Sequence, residues 1–297
     1  MANLPVWNQL SGYTLATLEE RVTTTVNLPL DPSSADIITG FKPDDTALSN
    51  SPLPTLTNLS DLSIEKTWTQ TVSNVPNTSV TYTYPISIRV PTIPALATKK
   101  VPVVIILHGE GGTGSAEVPA WENYLGDHII IAPTGYANTW NLGTQESKAP
   151  DIDFLKDLIA KLKGFNNVDQ SKIKLLGFSN GAGMVNRAFI QIDDTDIDSY
   201  VTIGTQLYDP QYRNDTFFFP STQTGSSSSD YNTATVPLQN KRYLSIHSID
   251  DTTIPYNGGL VSGLNYLSVQ ESSFVIAKSI VLLFTSSNNL VLSEYFF

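Results

Sequence analysis

Cysteine is absent from the 297 residues, which excludes disulfide frameworks, thiolate metal sites and a cysteine nucleophile. Charge is scarce as well: Asp, Glu, Lys and Arg make up 15% of the chain, against about 25% in an ordinary soluble domain. Seventeen basic and 28 acidic side chains leave a formal charge of -11, a field that repels phosphate backbones and anionic bilayers. Nucleic acid and membrane are therefore not expected as partners. The longest apolar stretch, Phe274 to Phe284, is broken by Lys278 and Ser279 and falls short of the ~20 residues a spanning helix needs. Met1 to Glu20 lack a basic segment followed by an apolar one, so no standard secretory signal is read, and a cytoplasmic, virion-associated or non-classically exported protein is compatible. Histidine occurs three times, at 108, 128 and 247.

Apolar residues nevertheless reach 40%, enough chain for a sizeable core. Residues 1–75 are rich in Thr, Ser, Asn, Pro and Leu, with Pro29, Pro32, Pro43, Pro52 and Pro54 breaking any periodic run. They are expected to form an irregular, β-rich extension, with one strand over Arg21 to Leu30. Within it, Pro5-Val6-Trp7, Gly12, Leu15, Leu18-Glu19-Glu20 and Leu28-Pro29-Leu30 resemble the opening of sandwich modules in tail and fibre proteins of marine bacteriophages.

A second domain is expected over 76–297. Val80 to Tyr84 and Ile86 to Val90 alternate in polarity, as in an edge hairpin. Val101 to Leu107 is continuously apolar and β-branched, which suits a strand covered on both faces. His128 to Ala132, Lys172 to Leu176 and Arg242 to Ile246 repeat that character. Asp151 to Leu162 places Ile152, Leu155, Leu158, Ile159 and Leu162 at helical spacing behind an acidic start. Strands alternating with helices predict an α/β fold with a mostly parallel central sheet. Pro220 to Thr235, with serines at 226–229, reads as a surface loop, Asn265 to Ala277 as a last helix, and Ile280 to Phe297 as a hairpin.

Chemistry concentrates where these strands end. Lys172 to Met184 holds an apolar strand, then Gly177-Phe178-Ser179-Asn180-Gly181, then a helix opening. Gly-x-Ser-x-Gly between strand and helix is a nucleophile elbow, in which the glycines leave room for a strained turn that lifts the serine hydroxyl above the sheet. His108-Gly109-Glu110-Gly111-Gly112 follows the most apolar strand, and its glycine density allows a backbone N–H to face a developing alkoxide. The amides of Glu110 and Asn180 are thus candidates for an oxyanion hole. After the fourth strand comes Asp250-Asp251, either of which would serve as the acid of a triad.

Leu107-His108-Gly109, Ala132 to Tyr136 with Trp140-Asn141, Asp151 to Leu155, Gly177 to Gly181, and His247 to Gly259 with Asp251, Pro255 and Tyr256 resemble the polyhydroxybutyrate depolymerase and feruloyl esterase-like branch of the α/β-hydrolases. The resemblance covers about residues 80–277. It implies a serine carboxylic-ester hydrolase without metal or organic cofactor, acting on a small-molecule or polymeric ester. It assigns the nucleophile to Ser179 and the acid to Asp251, with Asp250 as runner-up. Trp140 and Tyr256 become candidates for lining the pocket or supporting the core.

One part departs from that pattern. An acyl-transfer serine needs a base, and in this fold the histidine follows the acid, yet none follows Asp251. His128 begins a strand, on the wrong edge of the sheet; His108 and His247 end strands on the right edge but occupy positions that resemble structural ones. The tail after Ala277 reads as a replaced or shortened terminus. A catalytically impaired binding or structural module, virion-associated through its N-terminal segment, is the second expectation. Oligomeric state is left open.

Overall fold

A computed structural model describes residues 53–92, 99–143, 147–195, 197–221, 230–239 and 241–280, with short strands beyond at 284–286 and 289–291. The first elements are β1 (Glu65–Val72), β2 (Val75–Thr83), β3 (Ile86–Arg89), β4 (Val101–Leu107), helix α1 (Gly114–Trp121) and β5 (Ile129–Pro133). Helix α2 (Asp151–Leu162), β6 (Val168–Phe178), helix α3 (Asn180–Gln191) and β7 (Ile197–Ile203) follow. A small antiparallel sheet of β8 (Tyr212–Arg213), β9 (Thr216–Pro220) and β10 (Tyr231–Thr235) precedes β11 (Arg242–Ile246). Then come the ribbon β12 (Gly259–Val261) and β13 (Leu264–Tyr266), helix α4 (Val269–Ile280), and the paired strands β14 (Phe284–Ser286) and β15 (Asn289–Val291).

Six strands make the central sheet, in the order β11-β7-β6-β4-β5-β3, all parallel except β3, which runs antiparallel to β5. Every residue of β4 and β5 is buried, because both faces are covered. Val103, Ile105 and Leu107 face the main core, which they share with Leu155 and Leu158 of α2, Val185 of α3 and Val275 of α4. Val104 and Ile106 face the opposite way, into a smaller cluster with Val118 and Trp121 of α1. Covering both faces with helices forces β-branched apolar residues at successive positions, the signature read in Val101 to Leu107.

Several expectations need correction. Val80 to Tyr84 pairs with β1, whereas Ile86 to Arg89 leaves for the central sheet; Pro85 separates the two runs, so they form no hairpin with each other. The division expected at 75 falls in the β1–β2 turn, and Leu56, Leu62 and Ile64 pack in the main core. Residues 1–52, including the strand expected at Arg21 to Leu30, lie outside the described residues. Tyr231 to Thr235, expected as loop, forms β10 against β9. The last helix begins at Val269, because Leu264 to Tyr266 is taken by β13.

Helix α2 opens on a buried charge. The Asp151 carboxylate, fully enclosed, accepts the Tyr84 hydroxyl at 2.7 Å and the Asn141 N–H at 2.8 Å. Desolvation pushes it up to about 6, against the pull of those two bonds and of the nearby Arg187 charge. Asp151→Ala should lower stability by about 2–4 kcal/mol, since two buried donors lose their acceptor. With the folded value raised, the folded state holds the proton more tightly, so this group favours folding below the ordinary value and loses that contribution as pH rises through about 6. Denaturant titration of wild type and Asp151→Ala between acid and neutral pH checks both; equal midpoints, or the same pH slope in both, contradict the account.

Candidate active site

Ser179 stands between the end of β6 and the first turn of α3 with φ 50 and ψ -116. A non-glycine residue there is strained and persists only when its surroundings hold it. Three hydrogen bonds do so: the Ser179 N–H donates to the Ile203 carbonyl at 2.8 Å, and the Ser179 carbonyl accepts the Gly183 N–H at 3.0 Å and the Thr205 hydroxyl at 2.8 Å. The flanking glycines are sterically obligatory. A Cβ on Gly177 would lie 2.3 Å from the Gly181 carbonyl oxygen, and one on Gly181 would lie 2.1 Å from that of Leu107. Helix α3 therefore packs backbone to backbone against the ends of β4 and β6. The Ser179 side chain is half-buried, and among the described residues nothing hydrogen-bonds its hydroxyl.

The amides of Glu110 and Asn180 have no acceptor among the described residues. Around Glu110 the loop is fastened on both sides, by Gly111 N–H to the Asn138 carbonyl at 2.7 Å, Gly112 N–H to the Gly109 carbonyl at 2.9 Å, and the Asn138 amide to the Gly112 carbonyl at 2.9 Å. Gly111 takes φ 77, a conformation that favours glycine. The Asn180 amide is free because the first turn of any helix leaves its N–H groups without intrahelical partners.

The Asn180 side chain has a task that sequence reasoning missed. Its Oδ1 accepts the Trp140 N–H at 2.7 Å and the Thr139 hydroxyl at 3.3 Å, and its Nδ2 donates to the Trp140 carbonyl at 3.3 Å. The Trp140 indole N–H in turn donates to the His108 carbonyl at 3.0 Å. One amide thus ties together the loops after β4, β5 and β6. Trp140 is fully buried, so of its two expected roles the supporting one is observed.

Asp251 sits in a turn after β11. Its Oδ1 accepts the Thr253 N–H at 2.8 Å and the Ile254 N–H at 2.9 Å. Its Oδ2 lies 3.5 Å from His247 Nε2, and 4.0 Å from where a Cβ on Gly204 would stand. Gly204 directly follows Ile203, whose carbonyl holds the Ser179 N–H, so the Asp251 turn reaches the sheet edge that carries Ser179. The Ile254 and Thr253 N–H groups and the His247 imidazole hold the Asp251 carboxyl below the usual range, against mild desolvation. Asp250 is exposed and its carboxylate accepts no hydrogen bond from the described residues.

Each histidine is committed elsewhere. His108 is buried, with Nδ1 2.7 Å from the Gly109 carbonyl and Nε2 3.0 Å from the Gly135 N–H. Those partners fix the tautomer, since a carbonyl only accepts and an N–H only donates. Burial lowers the His108 pKa further. His128 precedes β5, at the far end of the strands, 2.7 Å from Asp127. His247 Nε2 lies 2.8 Å from the Ile254 carbonyl.

A polar cleft of about 850 Å³ opens between residues 209–215 and the start of α4, touching Asn257 beyond the acid turn. None of Ser179, Glu110, Asn180 or Asp251 lines it. Among the described residues no cluster of three or more histidine and carboxylate side chains is arranged to hold a metal ion.

The parallel sheet, its helical layers and the strained serine between β6 and α3 define an α/β-hydrolase fold. No family model matches the chain, and no curated protein matches it. Among solved structures it is similar to an α/β-hydrolase enzyme from a Medee basin deep-sea metagenome library, at 16% identity over 42% of each chain with a TM-score of 0.31. It is also similar to esterase 2 of Thermogutta terrifontis, at 13% identity over 72% of this chain and 78% of that one, TM-score 0.46. A third is a poly(3-hydroxybutyrate) depolymerase from Bordetella parapertussis, at 18% identity over 44% of this chain and 50% of that one, TM-score 0.33. The chain spans less than two thirds of the length of the metagenomic enzyme and of the depolymerase.

The close approach of α3 to β4 gives a direct test. Gly181→Ala should displace the helix or the Leu107–His108 peptide and cost several kcal/mol, whereas Gly126→Ala, whose Cβ would meet only Glu122 O at 3.8 Å, should cost under about 1 kcal/mol. Thermal melts of the two variants decide; a Gly181→Ala midpoint close to wild type contradicts this packing.

Proposed function

We propose that the protein is a serine carboxylic-ester hydrolase working through an acyl-enzyme on Ser179. The observation that carries this reading is the strained, half-buried serine at the strand-to-helix turn; N–H groups without acceptors among the described residues, on Glu110 and on the adjacent Asn180, support it. In this reading Ser179 Oγ attacks the ester carbonyl carbon, the carbonyl electrons pass to oxygen, and the two amides receive the oxyanion. Collapse breaks the bond to the alcohol oxygen, which leaves with the proton that Ser179 Oγ gave up, passed through solvent, and the acyl group stays on Ser179. Water then attacks the acyl carbon, returns a proton to Oγ and releases the carboxylic acid. Asp251, held ionised by its turn, is the acid of the site. Polyester, feruloyl and acetyl esters are the substrate classes that follow from the sequence resemblance.

The proton on Ser179 Oγ has no imidazole within hydrogen-bond reach among the described residues, and all three histidines of the chain hold other partners. This favours, as the second reading, a hydrolase-fold binding or structural module with residual reactivity. Loss of a triad base leaves about 10³–10⁴-fold acceleration over water from oxyanion and binding contacts. The hydrolase reading expects slow labelling by a fluorophosphonate and slow hydrolysis of p-nitrophenyl esters, both abolished in Ser179→Ala. Labelling that persists in Ser179→Ala removes the nucleophile from this assignment; no labelling of the wild-type chain favours the binding module.

A further inference from the structure

We propose that His247 is a positioning residue whose Nε2–H holds the Asp251 carboxylate and the Ile254 peptide as a single unit. The inference rests on Asp251 being the acid of the site.

The imidazole is almost wholly enclosed, at 1% side-chain exposure. Its Nε2 lies 2.8 Å from the Ile254 carbonyl oxygen and 3.5 Å from Asp251 Oδ2. Both neighbours accept only, so Nε2 carries a proton. Nδ1 is buried and has no hydrogen-bond partner among the described residues. A side chain kept only to fill space would be better apolar, since an unpaired buried polar atom is costly. What the imidazole adds is the Nε2–H.

That donor closes a ring of contacts. The Ile254 peptide is gripped at both ends: its N–H donates to Asp251 Oδ1 at 2.9 Å, and its carbonyl accepts from His247. Asp251 Oδ2 faces the same Nε2, so both carboxylate oxygens are oriented by one short segment. Packing fixes the ring from outside. Tyr256 meets the His247 ring edge-on at 6.1 Å, and the Gln206 amide donates to the Pro255 carbonyl at 3.0 Å. Gln206 belongs to the segment after β7 that also supplies Gly204 and Thr205 to the elbow. Withdrawing the Nε2–H frees the Ile254 carbonyl and removes the donor that faces Asp251 Oδ2.

The geometry also separates His247 from the role of base. Its Nε2 already directs a proton at the Ile254 carbonyl beside Asp251, and its Nδ1 is buried without a partner among the described residues. Glutamine separates the two roles, because its terminal amide reproduces a donor at the Nε2 position and takes up no proton at neutral pH. Asparagine is too short to do so.

The test compares His247→Gln, His247→Asn and Asp251→Ala in the full-length chain, reading the rate of fluorophosphonate labelling of Ser179 beside thermal melts. His247→Asn should slow labelling about tenfold or more, and His247→Gln should restore most of that loss. Adding His247→Asn to Asp251→Ala should change the rate less than about twofold, as expected for residues acting through one another. Equal loss in His247→Gln and His247→Asn, with melts unchanged, overturns the proposal in favour of the imidazole taking the proton itself. Lowered melting points with undiminished labelling of folded protein overturn it in favour of a purely structural residue. Failure of the underlying reading looks different: labelling then survives Ser179→Ala, or is indifferent to Asp251→Ala alone.

Discussion

Everything at the sheet edge depends on one close approach. The backbone of α3 at Gly181 lies so near the Leu107 and His108 carbonyls that a methyl group would overlap them. That contact sets the height at which α3 leaves β6. With the helix start and the strand end both fixed, the single residue between them must turn through a conformation costing on the order of 1–3 kcal/mol. Ser179 bears that strain, and its φ of 50 is the geometric residue of two backbones pressed together. The same packing leaves the adjacent Asn180 N–H without an acceptor among the described residues, so a strained serine and a spare amide donor arise from a single steric requirement.

The second donor needs a different support, because a glycine-rich loop has little stiffness of its own. His108 fastens the start of that loop to the Gly135 N–H, and Asn138 fastens its end at Gly111 and Gly112. Trp140 and the Asn180 side chain join both to the elbow. Further in, the Asn141 N–H donates to Asp151, and its carbonyl accepts from Arg187 of α3. A chain of polar contacts thus runs from the strained serine into the buried start of α2. Low dielectric strengthens such a network when each member is satisfied, and makes each unsatisfied member costly.

Much of this was legible before any coordinates. Val101 to Leu107 could be placed because burial on both faces demands an unbroken apolar run, and Gly177 to Gly181 because two glycines around a serine between strand and helix have few other physical reasons to occur. Helix α2 matched its periodicity residue for residue. The strand at Ile197 to Ile203 shows no such run, since Asp198, Ser199 and Thr202 interrupt its apolar character, yet it pairs with β6 and supplies the carbonyl that holds Ser179. Its polar residues are explained only by tertiary partners: Asp198 pairs with Lys174 and Arg242 from the strands on either side. Pairing across strands distant in sequence leaves no local pattern. The Asn180 side chain was hidden for the same reason, because its partner lies forty residues earlier.

The histidines show that fold and reactivity are set by separate constraints. His108 and His247 stand on the sheet edge that carries Ser179, yet each lies against a backbone carbonyl. In such positions an imidazole works as a rigid, two-ended hydrogen-bonding group that shapes a loop. Neither the elbow nor the two uncovered amides needs a base in order to form: sterics produce the first, and helix geometry and loop fastening produce the second. A chain can therefore keep a strained serine turn and amides without acceptors while its histidines serve architecture.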